Sequence, residues 1–251
     1  MARFKNHYES HAHSLQTLTA IYEFDTFLDS LEVIADMGCG TGLDALWWAT
    51  LTTRDDPPEP HNYVSYAIDK DIRRIDPRLS EIKKLRVVEA DFETVRLPRT
   101  VDLMWCHDAF QYAINPLATL RHWNSLMTAD GMLILTIDQS ISSDYNRLVQ
   151  RADSYCYYNH NICSLIYMLA VNGFDCKDAY VLKNVNDPWL HMAVYKSSVE
   201  PMDPATTSWF DLAEKELLHD SVVDSITRWG HLRQEDIIYP WFDKDWHRPR
   251  T

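Results

Sequence analysis

The chain has 251 residues, 46% hydrophobic and 24% charged, an ordinary globular composition and enough chain to bury a core without disulfide or metal staples. Its 24 Lys and Arg stand against 37 Asp and Glu, a formal charge of −13, so the mean surface field opposes phosphate backbones and anionic lipid and points away from nucleic acid as a partner. No run approaches the roughly 18 apolar residues of a membrane helix, and no apolar segment follows the basic N-terminus as a signal peptide requires, so a helical membrane protein is excluded and the chain reads as cytoplasmic.

In chain order, residues 1–31 read as an N-terminal helical cap segment. His7 and His11 lie one helical turn apart there, a spacing that can bind metal, but no third ligand accompanies them and no metal site is expected. Val33-Ile34-Ala35-Asp36 reads as a first strand. Gly38, Gly40 and Gly42 follow it, three of only six glycines in the chain, and then Leu43 to Ala49 has helical spacing, with Trp47 and Trp48 packing toward a sheet. The Pro-rich stretch from Thr52 to Asn62 reads as a solvated loop.

Apolar runs recur at Tyr63 to Ile68, Arg86 to Glu89, Val101 to Trp105, Met132 to Ile137, Phe174 to Leu182 and Trp189 to Lys196, with helical stretches between several of them. One helix is clearly punctuated, with Asn115 as N-cap and Pro116 in the first turn. An Asp130-Gly131 turn is expected to start the fifth strand. The pattern is an α/β fold, a doubly wound, seven-stranded and mostly parallel sheet covered on both faces. After Lys196 the alternation ends: Ser197 to Pro204 reads as a linker, Phe210, Ala213, Leu217, Val222, Ile226 and Trp229 trace a helical face, and an aromatic tail follows through Tyr239, Trp241, Phe242 and Trp246. The expected divisions are 1–31, a core of 32–196, and a C-terminal appendage of 197–251 that packs on the body. Five cysteines without a C-x-x-C pair suit scattered reduced thiols.

The chemistry concentrates in Asp36-Met37-Gly38-Cys39-Gly40-Thr41-Gly42. It puts a carboxylate at a strand end and glycines where a ligand can approach the backbone, with a helix start whose free N–H groups and positive dipole end suit an anionic group. A dinucleotide fingerprint needs glycine where this chain has Leu43. The D-x-G-x-G-x-G pattern resembles motif I of the class I S-adenosylmethionine-dependent methyltransferases, and further matches follow in order over roughly Val33 to Lys196. Asp69, ending Tyr66-Ala67-Ile68-Asp69, takes the place of the family's second-strand acid, which accepts from both ribose hydroxyls. Asp91 and Phe92 match the residues that contact the adenine amine and flank its ring. Val101 to Tyr112 looks like the fourth strand and the loop beneath the transferred methyl group.

The resemblance implies a Rossmann-like core with helical N- and C-terminal additions and S-adenosylmethionine as cofactor, held by Asp36, Gly38, Cys39, Gly40, Thr41, Gly42, Asp69, Lys70, Asp91, Phe92 and Cys106. It is closest to the small-molecule methyltransferases and implies a small-molecule methyl acceptor. His107 lies just past a strand's carboxyl end, where a neutral imidazole can serve as general base or simply line the site. Asp108 and Tyr112 are candidate acceptor contacts, Tyr8 and His11 candidate lid residues, and His160 and His191 partly buried histidines within reach of a pocket. The N-terminal segment and C-terminal helices are expected to shape the acceptor side. The turn before the fifth strand, Thr128-Ala129-Asp130-Gly131, departs from the family's usual Pro-Gly-Gly, the separation of Asp36 from Asp69 is long, and the C-terminal tail has no family counterpart. An RNA or protein methyltransferase, or a catalytically silent cofactor-binding interaction subunit, are the competing readings. Neither the acceptor nor the choice of oxygen, nitrogen or carbon is encoded in the shared motifs.

Overall fold

The five residues Val33–Met37 (β1) are buried at every position, as a strand must be when sheet neighbours and helices cover it on all sides. β1 pairs in parallel with Val64–Asp69 (β2) on one side and Val101–His107 (β4) on the other. The computed structural model describes residues 30–51, 59, 61–138, 158, 160–183 and 189–240. Tyr8, His11, most of the Pro-rich loop, and Trp241, Phe242 and Trp246 lie outside the described residues.

Leu85–Glu89 (β3), Met127–Asp138 (β5), Phe174–Leu182 (β6) and Trp189–Lys196 (β7) complete a seven-stranded sheet in the order β3-β2-β1-β4-β5-β7-β6. β7 is antiparallel to both β5 and β6. The jump from β1 to β4 makes the ends of β1 and β4 the switch point of the sheet, where ligands collect in doubly wound folds.

Alternate residues of β1 enter opposite cores. Val33, Ala35 and Met37 join the cluster of Leu120 and Trp123, on Pro116–Leu126 (α2), and of Leu165 and Leu169, on Ile162–Val171 (α3). Ile34 faces Trp48, on Leu43–Thr50 (α1), together with Trp105 and Ile134. The period of two thus builds a three-layer body. α2 has the expected punctuation, with the Asn115 side chain accepting from Ala118 N–H at 3.1 Å and Pro116 in the first turn. Between β2 and β3 the described chain makes two 3-10 turns, Ile72–Arg74 and Pro77–Glu81, capped by Asp71 and Asp76.

Two expectations need correction. β5 starts at Met127, so Asp130-Gly131 lies inside an irregular extension and not at its start. Thr128 Oγ1 lies 3.2 Å from Asp102 Oδ1 and draws this segment alongside β4. The single helical face beyond Pro204 is two short helices, Trp209–Glu214 (α4) and Asp220–Trp229 (α5), broken where Glu216 takes a left-handed φ of 57°. The break turns Phe210 and Trp229 outward.

Leu212, Leu217, Leu218, Val222, Ile226, Ile237 and Tyr239 enter the same core as α3 and β6. Leu217 and Leu218 run beside Cys176 of β6, and Tyr239 Oη donates to the Cys176 carbonyl at 2.6 Å. Among the described residues no helix is long and apolar enough to cross a membrane.

Leu218 is 2% exposed, so Leu218→Ala should cost about 2–5 kcal/mol by lost burial and cavity formation. Urea denaturation read by far-UV circular dichroism should show the lower midpoint; an unchanged midpoint would mean that the appendage is not part of the cooperative body.

Candidate active site

Four parallel strand ends and the start of β7 converge on one cavity of about 660 Å³, a size typical of small-molecule sites. The glycine turn is pinned to the end of β2. Gly38 N–H and Cys39 N–H both donate to the Ile68 carbonyl at 2.9 Å, and Gly40 N–H donates to Asp69 Oδ2 at 2.9 Å. Asp69 Oδ1 accepts from Asp71 N–H at 2.9 Å. Gly38 has φ 76°, and a Cβ there would lie 2.4 Å from Ala109 Cβ; Gly40 has φ 56° and nothing within 4 Å of a Cβ position. Gly38 is therefore demanded by packing, whereas Gly40 presents open backbone to the cavity.

Asp36 is 3% exposed, and its Oδ2 accepts from Ala45 N–H at 3.1 Å, inside the first turn of α1. The helix start expected to receive an anionic ligand group thus already holds one of the protein's own carboxylates. Burial, then the neighbouring charges of Asp44 and Asp69, raise the Asp36 carboxyl well above its ordinary pKa, opposed by the Ala45 hydrogen bond.

Asp44 accepts from Trp105 Nε1 at 2.9 Å. The Trp105 ring stacks at 6.3 Å on His107, and His107 meets Trp189 at 5.3 Å. His191, across the sheet from His107 at 6.3 Å between ring centres, is buried, with Nδ1 3.0 Å from Thr136 Oγ1. His160 packs on Phe110, and burial lowers its pKa to about 4. Asp108 takes a left-handed φ of 54°, uncommon for a side-chain-bearing residue. Its N–H donates to the Thr136 carbonyl at 2.9 Å, and Oδ1 accepts from Gln111 Nε2.

On the β3 side, Asp91 Oδ1 accepts from Glu93 N–H at 2.9 Å, a local turn in place of a helix cap. The Phe92 carbonyl accepts from Trp123 Nε1 at 2.8 Å, which fixes the Phe92 backbone. Glu93 accepts from Ile114 N–H, Asn115 N–H and Thr119 Oγ1. Burial pushes the Glu93 carboxyl up, but these hydrogen bonds and the Lys70 charge more than offset it and hold it below the usual range.

The cavity brings together Asp36, Gly38, Cys39, Gly40, Thr41, Asp69, Lys70, Asp91, Phe92, His107, Asp108 and Tyr112. Gly42 and Cys106 are not among its lining residues. Gly42 sits against Leu79, and the pleat of β4 turns Cys106 into the core beside Met104 while Trp105 and His107 share the other face. No described residue of 197–240 lines the cavity, because that segment packs at the far, β6 edge of the sheet. Asp44, Arg74, Glu93, Ile114 and Trp189 also line it and were missed from sequence. Trp189 was findable: β7 runs antiparallel to β5, so its first residue stands at the carboxyl end of the parallel strands.

A methyltransferase domain family model matches residues 35–135. Malonyl-[acyl-carrier protein] O-methyltransferase 2 of Coxiella burnetii is 30% identical over 107 residues, 42% of this chain, and the chain spans only 41% of that relative's length. The fold is shared with magnesium protoporphyrin IX methyltransferase from Synechocystis PCC 6803, solved with bound SAH, at 16% identity and a TM-score of 0.55 over 75% of this chain and 84% of that one. N-methyltransferase NodS from Bradyrhizobium japonicum WM9 aligns at 12% identity and a TM-score of 0.53, over 76% and 96%.

Because the Asp36 pKa is higher folded than unfolded, the folded chain binds the extra proton between the two values, and stability attributable to this group falls as pH rises through that window. The thermal midpoint of the wild type should therefore drop relative to Asp36→Asn as the pH rises above the ordinary aspartate range, about pH 4, the two proteins being closest in acid. A difference independent of pH would show that Asp36 is held as an unstrained carboxylate.

Proposed function

We propose that this chain, whose residues 35–135 match a methyltransferase domain family model, binds S-adenosylmethionine and transfers its methyl group to a small-molecule acceptor. The observation that carries this reading is the ordered set of three acids, Asp36, Asp69 and Asp91, at or just past the carboxyl ends of three successive strands, around a single cavity with an open glycine turn. A sulfonium cofactor with a ribose diol and an adenine needs a close-approach turn, a diol acceptor and an adenine reader.

The residues present fit that group. Each Asp69 oxygen takes one backbone N–H, and a carboxylate oxygen has two lone-pair sites, so both retain capacity for a ribose hydroxyl. Asp91 is exposed at the rim and suits the adenine amine, with Phe92 fixed beside it by Trp123. The backbone of Gly38 to Thr41, with Lys70, borders the remainder. The Asp44 carboxylate at the cavity favours a cationic centre, and the Asp36 side chain already takes the Ala45 amide at the start of α1 that a phosphate would need. When bound, S-adenosylmethionine supplies an electrophilic methyl group on sulfur; the chain's part is to hold the acceptor in line with it and exclude water. His107 borders the acceptor, where it accepts a proton or forms the wall according to the nucleophile. Asp108 and Tyr112 contact the acceptor. The free cysteines Cys39, Cys106, Cys163 and Cys176 suit a reducing compartment, and we place the protein in the cytoplasm.

Calorimetric titration tests this. S-adenosylhomocysteine should bind with a Kd of about 1 μM, or about −8 kcal/mol. Asp69→Ala, which frees the Gly40 turn and removes the diol acceptor, and Gly40→Val, which fills the open backbone edge at positive φ, should each weaken binding at least about tenfold. Well-folded wild type that binds neither S-adenosylhomocysteine nor S-adenosylmethionine would overturn the reading.

A further inference from the structure

Glu93 joins two loops that the sheet holds apart, since β2 and β1 lie between β3 and β4. Its N–H donates to Asp91 Oδ1 at 2.9 Å, so the Glu93 backbone orients the acid proposed for the adenine amine. Its side chain leaves the loop after β3 and reaches the segment between β4 and α2. There Oε1 accepts from Ile114 N–H at 2.9 Å, and Oε2 accepts from Asn115 N–H and Thr119 Oγ1, both at 3.0 Å. Resting on the methyltransferase reading, the structure assigns Glu93 as a positioning residue that sets Asp91 and Ile114 at the purine end of the cavity, where Asp91 selects adenine by its amine and Ile114, with Phe92, covers the ring.

α2 does not need Glu93 in order to begin. The Asn115 side chain caps Ala118 N–H and Pro116 fills the first turn, which already meets the needs of a helix start. The loop after β3 is also fastened to α2 elsewhere, by Trp123 Nε1 on the Phe92 carbonyl and by His122 Nε2, 2.7 Å from the Val95 carbonyl. What Glu93 adds is a hold on Ile114, whose own carbonyl accepts from Tyr158 Oη at 3.1 Å. The N–H and the carbonyl of Ile114 are thus both tied down while its side chain is 65% exposed and lines the cavity. A lone exposed isoleucine is ordinary on a surface. One whose backbone is anchored on both sides, at the wall of a cleft, is placed to meet an apolar face.

Phe92 supplies the neighbouring apolar wall. Its ring meets Trp123 edge-on at 5.9 Å, and its Cδ1 stands 3.6 Å from the place a Cβ on Gly38 would take, so the ring borders the glycine turn. A purine is apolar on its faces and polar at its edge, which two apolar side chains and one oriented carboxylate match. The clamp requires Glu93 as carboxylate, because Ile114 and Asn115 each offer an N–H and only the ionised group accepts freely at both oxygens. The same hydrogen bonds and the Lys70 charge favour that form.

Calorimetric titration with two ligands that differ only at the purine edge tests the assignment: S-adenosylhomocysteine, and S-inosylhomocysteine, which has a carbonyl in place of the amine. The wild type should prefer the adenine form at least about tenfold. Glu93→Gln keeps the volume but sets an NH2 group against a backbone N–H, and should weaken S-adenosylhomocysteine about tenfold while its preference falls to about twofold. Thr119→Val, which removes one of the three donors, should lower the preference about threefold and decides the matter should Glu93→Gln not fold. Ile114→Ala, at an exposed position, should weaken both ligands about fivefold with the thermal midpoint within about 1 °C of wild type. A residue that only supports the fold would lower both affinities by one factor and leave the preference intact. A wild-type preference retained in every folded variant of Glu93 and Thr119, equal binding of the two ligands by the wild type, or unaltered affinity in Ile114→Ala would overturn the inference. Wild type that binds neither ligand would instead remove the methyltransferase reading beneath it.

Discussion

The site depends on how the glycine turn is tied to the end of β2. The Ile68 carbonyl receives two amides of the turn, and the next residue, Asp69, receives a third through its side chain. These contacts exist only because β1 and β2 run parallel in the register that sets Met37 opposite Ile68. A slip of one residue would send Asp69 to the other face of the sheet and leave the turn without its anchor. Asp69 therefore serves twice, as the clamp that shapes the turn and as an acceptor facing the cavity. The same register lines up Asp36 and the start of α1, so turn, helix and acids form one construction.

Assembling so many acids in one cleft is costly for a free protein, and the structure shows how the cost is contained. Asp36 is fed by a helix amide, Asp44 by an indole, Glu93 by two amides and a hydroxyl, and Asp108 by an amide side chain. Each donor favours its partner's charged form, but at Asp36 burial outweighs the donor and favours the protonated carboxyl. Functional sites commonly keep such unfavourable arrangements, which the remaining packing sustains.

Much of this was legible in the sequence. The runs at Phe174 to Leu182 and Trp189 to Lys196 match β6 and β7, because uninterrupted apolar or alternating residues between clear breaks leave little choice of element. Asp36, Asp69 and Asp91 stand where strand ends place them. Cys106 was assigned to the cavity by its order along the chain, yet the pleat sends it into the core; counting alternate residues back from His107 separates the two. Asp44 and Glu93 were invisible because their partners lie far away in sequence, Trp105 for one and the Ile114 to Thr119 stretch for the other. The start of β5 depends on a hydroxyl bond from Thr128 to β4, which no local pattern reports.

β6 ends the sheet, and a terminal strand exposes a row of backbone donors and acceptors that invites pairing with another molecule. Here the pairing between β6 and β7 breaks register between Asp175 and Tyr180, and in that interval Cys176 gives its N–H to Leu217 and its carbonyl to Tyr239. The segment beyond β7 thus occupies hydrogen-bonding positions that a second chain would otherwise use. Its consequence is colloidal: a chain shortened before Leu217 would retain every acid around the cavity and yet present an uncapped edge, so such truncations invite self-association of the sheet even where the cleft is intact.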